Sequence, residues 1–360
     1  MSRRSRPAAM RHPIQPPTQA VVLLAAIAFA FAACTAGGAS SASTQVHATA
    51  GSPTPVASPT ADASAASSSG TPAFPITLTD DEGTQVAVPV EPQRIVSLTP
   101  AVTETLFALG VGDRVAGKGE DVFLYPPAAG SIPDVATFDA VDIERIVSME
   151  PDIVFAGGNF FTPPDAIARM RELGLPVVVV YASSVDDVYG DIELIGGATG
   201  RSDQAADMVA RIRSGFDAVE AAVAGLPRPR LFYEIDATGA IYGPADDSFL
   251  AEMIVLAGGD PITTGSPDKF DISIERLIQE DPEVILLADG PFGVTADQVA
   301  ARPGWDVMTA VKDGQIRTID DQTVTRPGPR LFLGLELLAA TIHPDAAIPS
   351  AEPIPPMPPS

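Results

Sequence analysis

The chain has a single cysteine among 360 residues. With Cys34 alone, no internal disulfide can form, and no thiolate-built zinc or iron–sulfur centre is available. Histidine is nearly as scarce. His12, His47 and His343 lie far apart and close to the chain ends, so no imidazole-built metal site is expected. Aromatic residues make up 6% of the chain, with one tryptophan. Positive charge is the next shortage. All 46 acidic residues follow residue 33, against 18 lysines and arginines there, and the whole chain carries −24. Nucleic acid and anionic lipid both need a positive footprint, so neither is an expected partner. A surface this acidic keeps a protein dispersed, and a monomer is expected. Catalytic signatures are missing too: there is no G-x-S-x-G elbow, no H-E-x-x-H and no paired histidine and carboxylate. The expectation is a non-enzyme with no resident cofactor. The segment Gly112–Gly119 resembles a phosphate-binding loop, but Gly119 stands where Ser or Thr must hold magnesium, and the segment follows a helix pattern instead of a strand.

No apolar run reaches the roughly 20 residues that a membrane span requires. The run at 20–33 is short, follows four arginines (Arg3, Arg4, Arg6, Arg11) and ends in small residues before Cys34. That is the layout of a secretory signal. Phe31-Ala32-Ala33-Cys34 resembles a bacterial lipobox, which implies cleavage before Cys34 and lipidation of its thiol. Two acyl chains anchor where one would not. Residues 35–72 are almost entirely Ala, Ser, Thr, Gly and Pro and cannot bury apolar surface. As a coil they span about 35 Å on average, a tether. The Pro-rich stretch 346–360 is expected to be unstructured as well.

Between these ends, apolar strands alternate with helical patterns. Arg94–Leu98, Ile153–Ala156 and Val177–Tyr181 read as strands, and the patterns starting at Val102, Ile143 and Pro164 read as helices closed by Gly110, Pro151 and Gly174. Such alternation means α/β lobes with parallel sheets covered on both faces. The theme recurs: DIERIVSMEPDIVFAGG (142–158) echoes SIERLIQEDPEVILLADG (273–290), with Glu144 and Glu275 each seven residues before the proline, Pro151 or Pro282. Two similar lobes follow. Between them, Ala205, Val209, Ile212, Phe216, Val219 and Val223 trace one face of a helix of roughly 33 Å, with Ser202 as its expected N-cap. The expected division is therefore 1–33 signal, 34–72 lipidated cysteine and tether, 73–200 N-terminal lobe, 201–225 interlobe helix, 226–345 C-terminal lobe and 346–360 tail.

Four segments in this order, PQRIVSLTPAVTETLFALGVGDRVAG (92–117), YPPAAGSIPDV (125–135), DIERIVSMEPDIVFAGG (142–158) and RPGPRLFLGLELLA (326–339), resemble the class III substrate-binding proteins of ABC importers, carriers of iron–siderophores, haem or cobalamin. The resemblance implies two Rossmann-like lobes joined by one long rigid helix, with a ligand held between them. It implies a permease and ATPase as partners, with Glu144 and Glu275 as docking residues for permease arginines, and an extracytoplasmic site anchored to the cell membrane by lipid. Ligands of such sheets bind beyond the carboxyl ends of strands, which points to Thr99, to Asn159, Phe160 and Phe161, to Ser183 and Ser184, and to the loops after Glu234 and Leu287. Phe123 and Tyr125 stand in a Tyr-Pro context in which haem-binding relatives ligate iron; Val122 departs from a tyrosine found in cobalamin-binding ones. Arg326 matches a cleft arginine that meets carboxylate or phosphate groups of the ligand, while Arg330 is expected to be structural. Tyr242, Phe292 and, least of all, Trp305 are further aromatic candidates for the cleft. The expected cargo is an iron–siderophore or cobalamin, with haem, or a binding role without transport, as alternatives. No protein ligand to metal is expected except Tyr125 in the haem case.

Overall fold

The computed structural model of the protein describes residues 74–137, 140–159, 161–350 and Ile354. The proposed signal, Cys34, the tether and Phe160 lie outside the described residues. The chain starts with a hairpin, β1 (Ile76–Thr79) and β2 (Gln85–Val88). It continues through β3 (Ile95–Ser97), α1 (Pro100–Ala108), β4 (Val115–Gly119), β5 (Asp134–Ala136), α2 (Ile143–Ser148), β6 (Ile153–Gly157), α3 (Pro164–Glu172), β7 (Val177–Val180) and α4 (Val185–Ala198). All five strands from β3 to β7 are parallel, in the order β5-β4-β3-β6-β7. After α5 (Ser202–Val223), the second lobe runs β8 (Arg230–Glu234), β9 (Ile241–Tyr242), α6 (Phe249–Leu256), β10 (Asp260–Pro261), β11 (Asp271–Ile272), α7 (Ile274–Glu280), β12 (Val284–Leu287), α8 (Ala296–Ala300), α9 (Thr309–Lys312), β13 (Ile316–Thr318), α10 (Asp321–Val324) and α11 (Leu331–Ile342). Its main sheet is parallel, β10-β8-β12-β13, with β9 and β11 paired as a small antiparallel ribbon. The fold is thus the expected two-lobed α/β architecture.

The repeat read from the sequence is structural. Helix α2 leads through Pro151 into β6, beside β3; helix α7 leads through Pro282 into β12, beside β8. The residue after each proline does the same work. The Asp152 carboxylate accepts the backbone N–H groups of Gln93 and Arg94, both at 2.8 Å, and Glu283 accepts that of Arg230 at 3.0 Å. In both lobes an acid thus pins the start of the neighbouring strand.

Three apolar layers cover the sheets. One lies under α2 and α3, one under α7, α8 and α9, and the third is shared: it runs from Ile95 and Phe155 of the first sheet through Ile192 and Ile212 to Leu231, Leu286 and Leu335 of the second lobe. Helix α5 turns Ala205, Met208, Val209, Ile212, Phe216, Val219 and Val223 into this layer. A shared core leaves little freedom for independent lobe motion, because dense packing resists gradual deformation. Two expectations are corrected. Ser202 is the first residue of α5 and not its cap; Arg201 takes the cap position without a side-chain capping bond to the helix, because Gly200, at φ +72°, turns the chain directly into the helix. Within the expected tail, Ile348 and Ile354 are not free of the fold either: both are partly buried against the shared core, where apolar side chains shed part of their contact with water.

The hairpin closes the open edge of β7. Asp80 is buried and accepts from the N–H groups of Glu82, Thr84 and Val179 and from Arg171 at 2.7 Å. Asp81 accepts the Tyr181 N–H at 2.6 Å and also meets the carboxyl of Asp191 on α4. Burial, and then the hydrogen bond to Asp81, pushes the Asp191 carboxyl up to about 9. A raised carboxyl contributes stability that is complete below the ordinary carboxylate range and is lost as pH rises towards the raised value. The melting temperature should therefore fall between pH 5 and pH 9, and Asp191→Asn, which keeps a donor towards Asp81, should flatten that fall by several degrees. Parallel pH profiles for the two proteins in a thermal melt would contradict this.

Candidate functional site

The carboxyl ends of the two parallel sheets meet. The loop after β4 carries Asp121, Phe123 and Tyr125; the segment after β13 carries Arg326 and Arg330; the loop after β12 carries Phe292. Asp121 and Arg326 form a two-pronged ion pair across the lobes, at 3.0 and 2.9 Å, with both side chains buried. Gln322 accepts a further bond from Arg326 at 3.2 Å. Arg330 makes a second fork with Glu104 of α1, at 2.8 and 3.0 Å, and its guanidinium lies 3.8 Å from the centre of the Tyr125 ring. Glu104 also stands 3.7 Å from Arg326. Forked guanidinium–carboxylate pairs are the strong, oriented kind, and the Arg–Tyr stack adds an attraction to the ring face. The edge of Phe123 meets Phe292 at 5.7 Å between ring centres, an apolar contact from lobe to lobe. Val122, Phe123, Leu124 and Phe292 are exposed beside it.

Thr99, Asn159 and Phe161 form a second group on the first lobe. Thr99 accepts the Val102 N–H and caps α1. Its methyl group and the Phe161 Cβ press on Gly157 so closely that a side chain there would clash with both. Asn159, in a left-handed conformation that asparagine tolerates, donates to the Tyr181 hydroxyl at 2.7 Å, and Phe161 lies against the Tyr181 ring. Tyr242 is partly buried on β9, just past the carboxyl end of β8. Trp305 is in the core under α8 and α9 with the Arg302 guanidinium over it, so it does not line the cleft. The structure therefore brings Phe123, Tyr125 and Arg326 together, sets Thr99 and Asn159 on the adjoining loops, and leaves Tyr242 on the opposite ribbon.

Residues that sequence reasoning passed over complete the picture. Glu104 is the one charged residue of α1, PAVTETLFA; a buried carboxylate demands a partner, and that signal was available. Asp121 offered no such cue. In the second lobe Glu234, fully buried at the end of β8, is held by Arg302 at 2.5 and 2.8 Å. Next to it Asp289 is buried, with no hydrogen-bond partner for either carboxylate oxygen. Burial, and then the charge of Glu234, pushes the Asp289 carboxyl up to about 6. Glu144 and Glu275 are each exposed in the first turn of a helix and without an ion-pair partner among the described residues.

Residues 95–323 match the family model described as periplasmic binding protein. The ABC transporter substrate-binding lipoprotein YvrC of Bacillus subtilis strain 168 is 31% identical over 76% of this chain and 88% of its own length. A vitamin B12-binding protein of Vibrio vulnificus strain CMCP6 is 25% identical over 69% of this chain and 89% of its own. Among solved structures, a possible iron-binding periplasmic solute-binding protein of Staphylococcus epidermidis superimposes with a TM-score of 0.61 at 26% identity, over 70% of this chain and 99% of its own.

Removing Glu104 would strand the largely buried Arg330 guanidinium, while Arg326 would keep its fork on Asp121. Deleting one partner of a buried pair costs about 3–5 kcal/mol, so Glu104→Ala should lose that much stability in a denaturant titration, whereas exposed Glu144→Ala should lose less than about 0.5 kcal/mol. Equal losses would refute the role given to Glu104.

Proposed function

The chain belongs to the periplasmic binding protein family, and from that premise we propose that it captures a metal chelate, an iron–siderophore or a cobalamin, between its lobes and hands it to an ABC importer. Members of this family are solute-binding transport components, not enzymes. The observation that carries the reading is the meeting of two strand-end surfaces across Phe123 and Phe292, with Val122 and Leu124 exposed beside them. Broad apolar surfaces at the switch points of α/β sheets suit a flat, rigid ligand, and Thr99, Asn159, Tyr242 and Arg326 would border it. The relatives named for vitamin B12 and iron support that class. Haem would use Tyr125, but that ring is stacked under Arg330, which counts against it.

In this reading Glu144 and Glu275 dock the permease. They occupy equivalent first turns, one on each lobe, after the same Asp or Ser cap position, so they present their charge symmetrically. Cys34 would carry the lipid that anchors the protein to the cell membrane.

Calorimetric titration of the full-length protein with cyanocobalamin, haemin and ferric siderophores, with zinc and manganese as controls, should give one saturable chelate at micromolar affinity or better. Phe123→Ser should weaken it roughly tenfold, in line with the loss of one buried aromatic contact. Glu144→Ala with Glu275→Ala should leave that affinity unchanged and abolish uptake in cells carrying the importer. A response to bare zinc or manganese alone would refute the chelate reading.

A further inference from the structure

We infer that the cleft recognises its chelate through hydrogen-bond donors on the ligand, accepted by Asp289, and selects against anionic chelates. This rests on the capture reading above and names the charge class of the cargo. Two independent observations support it.

The first is that the arginines near the cleft are already occupied. Arg326 is forked onto Asp121, Arg330 onto Glu104, and Arg302 onto Glu234. All three carboxylates are buried. An anionic ligand group would meet guanidinium groups whose charge is already balanced by a buried carboxylate and could use only the N–H donors left over, while displacing a buried carboxylate outright is costly. The surroundings are acidic besides: Glu234 ends β8, and Asp236, Asp289, Asp320 and Asp321 follow the carboxyl ends of strands in the second lobe.

The second is Asp289 itself. It stands two residues beyond β12 with 5% of its surface exposed, and neither oxygen has a partner. Buried carboxylates without partners are rare, because the lost hydration is not replaced. The charged groups that bear on it are Glu234 and Asp236, which oppose its ionisation, and Arg302, which favours it but is spent on Glu234. Its loop is the one that reaches across the cleft, since Phe292, three residues on, meets Phe123. A ligand that parts those two rings would displace the loop that carries Asp289. An amide, amine or hydroxyl donor would supply the missing partner; a carboxylate or catecholate would add repulsion.

The test is calorimetric titration of the full-length protein with four probes: cyanocobalamin and ferrioxamine B, which are uncharged or cationic and rich in N–H donors, against haemin and ferric enterobactin, which are anionic. One of the first pair should bind at least a hundredfold tighter than either of the second. Its affinity should rise from pH 5 to 7.5, as Asp289 ionises. Asp289→Asn should lower the affinity at pH 7.5 roughly tenfold and abolish the rise, while melting at or above the wild-type temperature shows that it is folded. Asp289→Leu should behave likewise. If haemin or ferric enterobactin binds tightest, the inference falls and the capture reading stands. If a donor-rich chelate binds but both variants match wild type within twofold, the role of Asp289 falls. If no probe saturates, the capture reading fails and takes this inference with it.

Discussion

A buried carboxylate organises the cleft. Glu104 sits inside α1 with almost no exposure and holds Arg330 by two hydrogen bonds, with Arg326 close by. A charge in that position is tolerable only when paired. The pairing reaches from a helix of the first lobe to the segment that opens α11 of the second, so the requirement to satisfy one acid sets the distance between lobes. Around that point the other cross-lobe contacts assemble: Asp121 on Arg326, Tyr125 under Arg330, and Phe123 on Phe292. The neutrality of this cluster also decides what the cleft can offer a ligand, because its positive charge is consumed within the chain.

The shared apolar layer works with this network. Helix α5 contributes the same stripe of residues to both lobes, and α11 packs along it with Leu335, Leu338 and Ile342 buried. Sliding one lobe past the other would open gaps in a close-packed interior. Motion is thereby limited to small adjustments of the facing loops, where the side chains are exposed and the contacts few. Those loops are also where a ligand would enter, which suits a carrier that must release its cargo without refolding.

Much of this was readable beforehand. The strand–helix alternation, the glycine and proline stops, and the apolar stripe of 205–223 follow from local periodicity, and the two Glu-Arg…Pro segments exposed the repeat. Even the acid after each proline, Asp152 and Glu283, was visible in EPDIV and DPEVI, although its task of pinning a neighbouring strand was not. What escaped were pairings between residues far apart in the chain. Asp121 and Arg326 are separated by 205 positions, and nothing in either neighbourhood marks the other. Ile348 and Ile354 looked like part of a free tail because proline-rich sequence lacks periodicity, yet isolated apolar side chains still seek a core.

The sequence by itself determined the class of fold, the two lobes, the helix between them and the neighbourhood of the cleft, because these depend on period, polarity and turn chemistry within short windows. The tertiary structure alone decided which charges remain available. Whether Arg326 can meet an anion, and whether Asp289 has a partner, depends on which distant side chains arrive beside them, and a buried charge takes its character from those neighbours and not from its place in the chain.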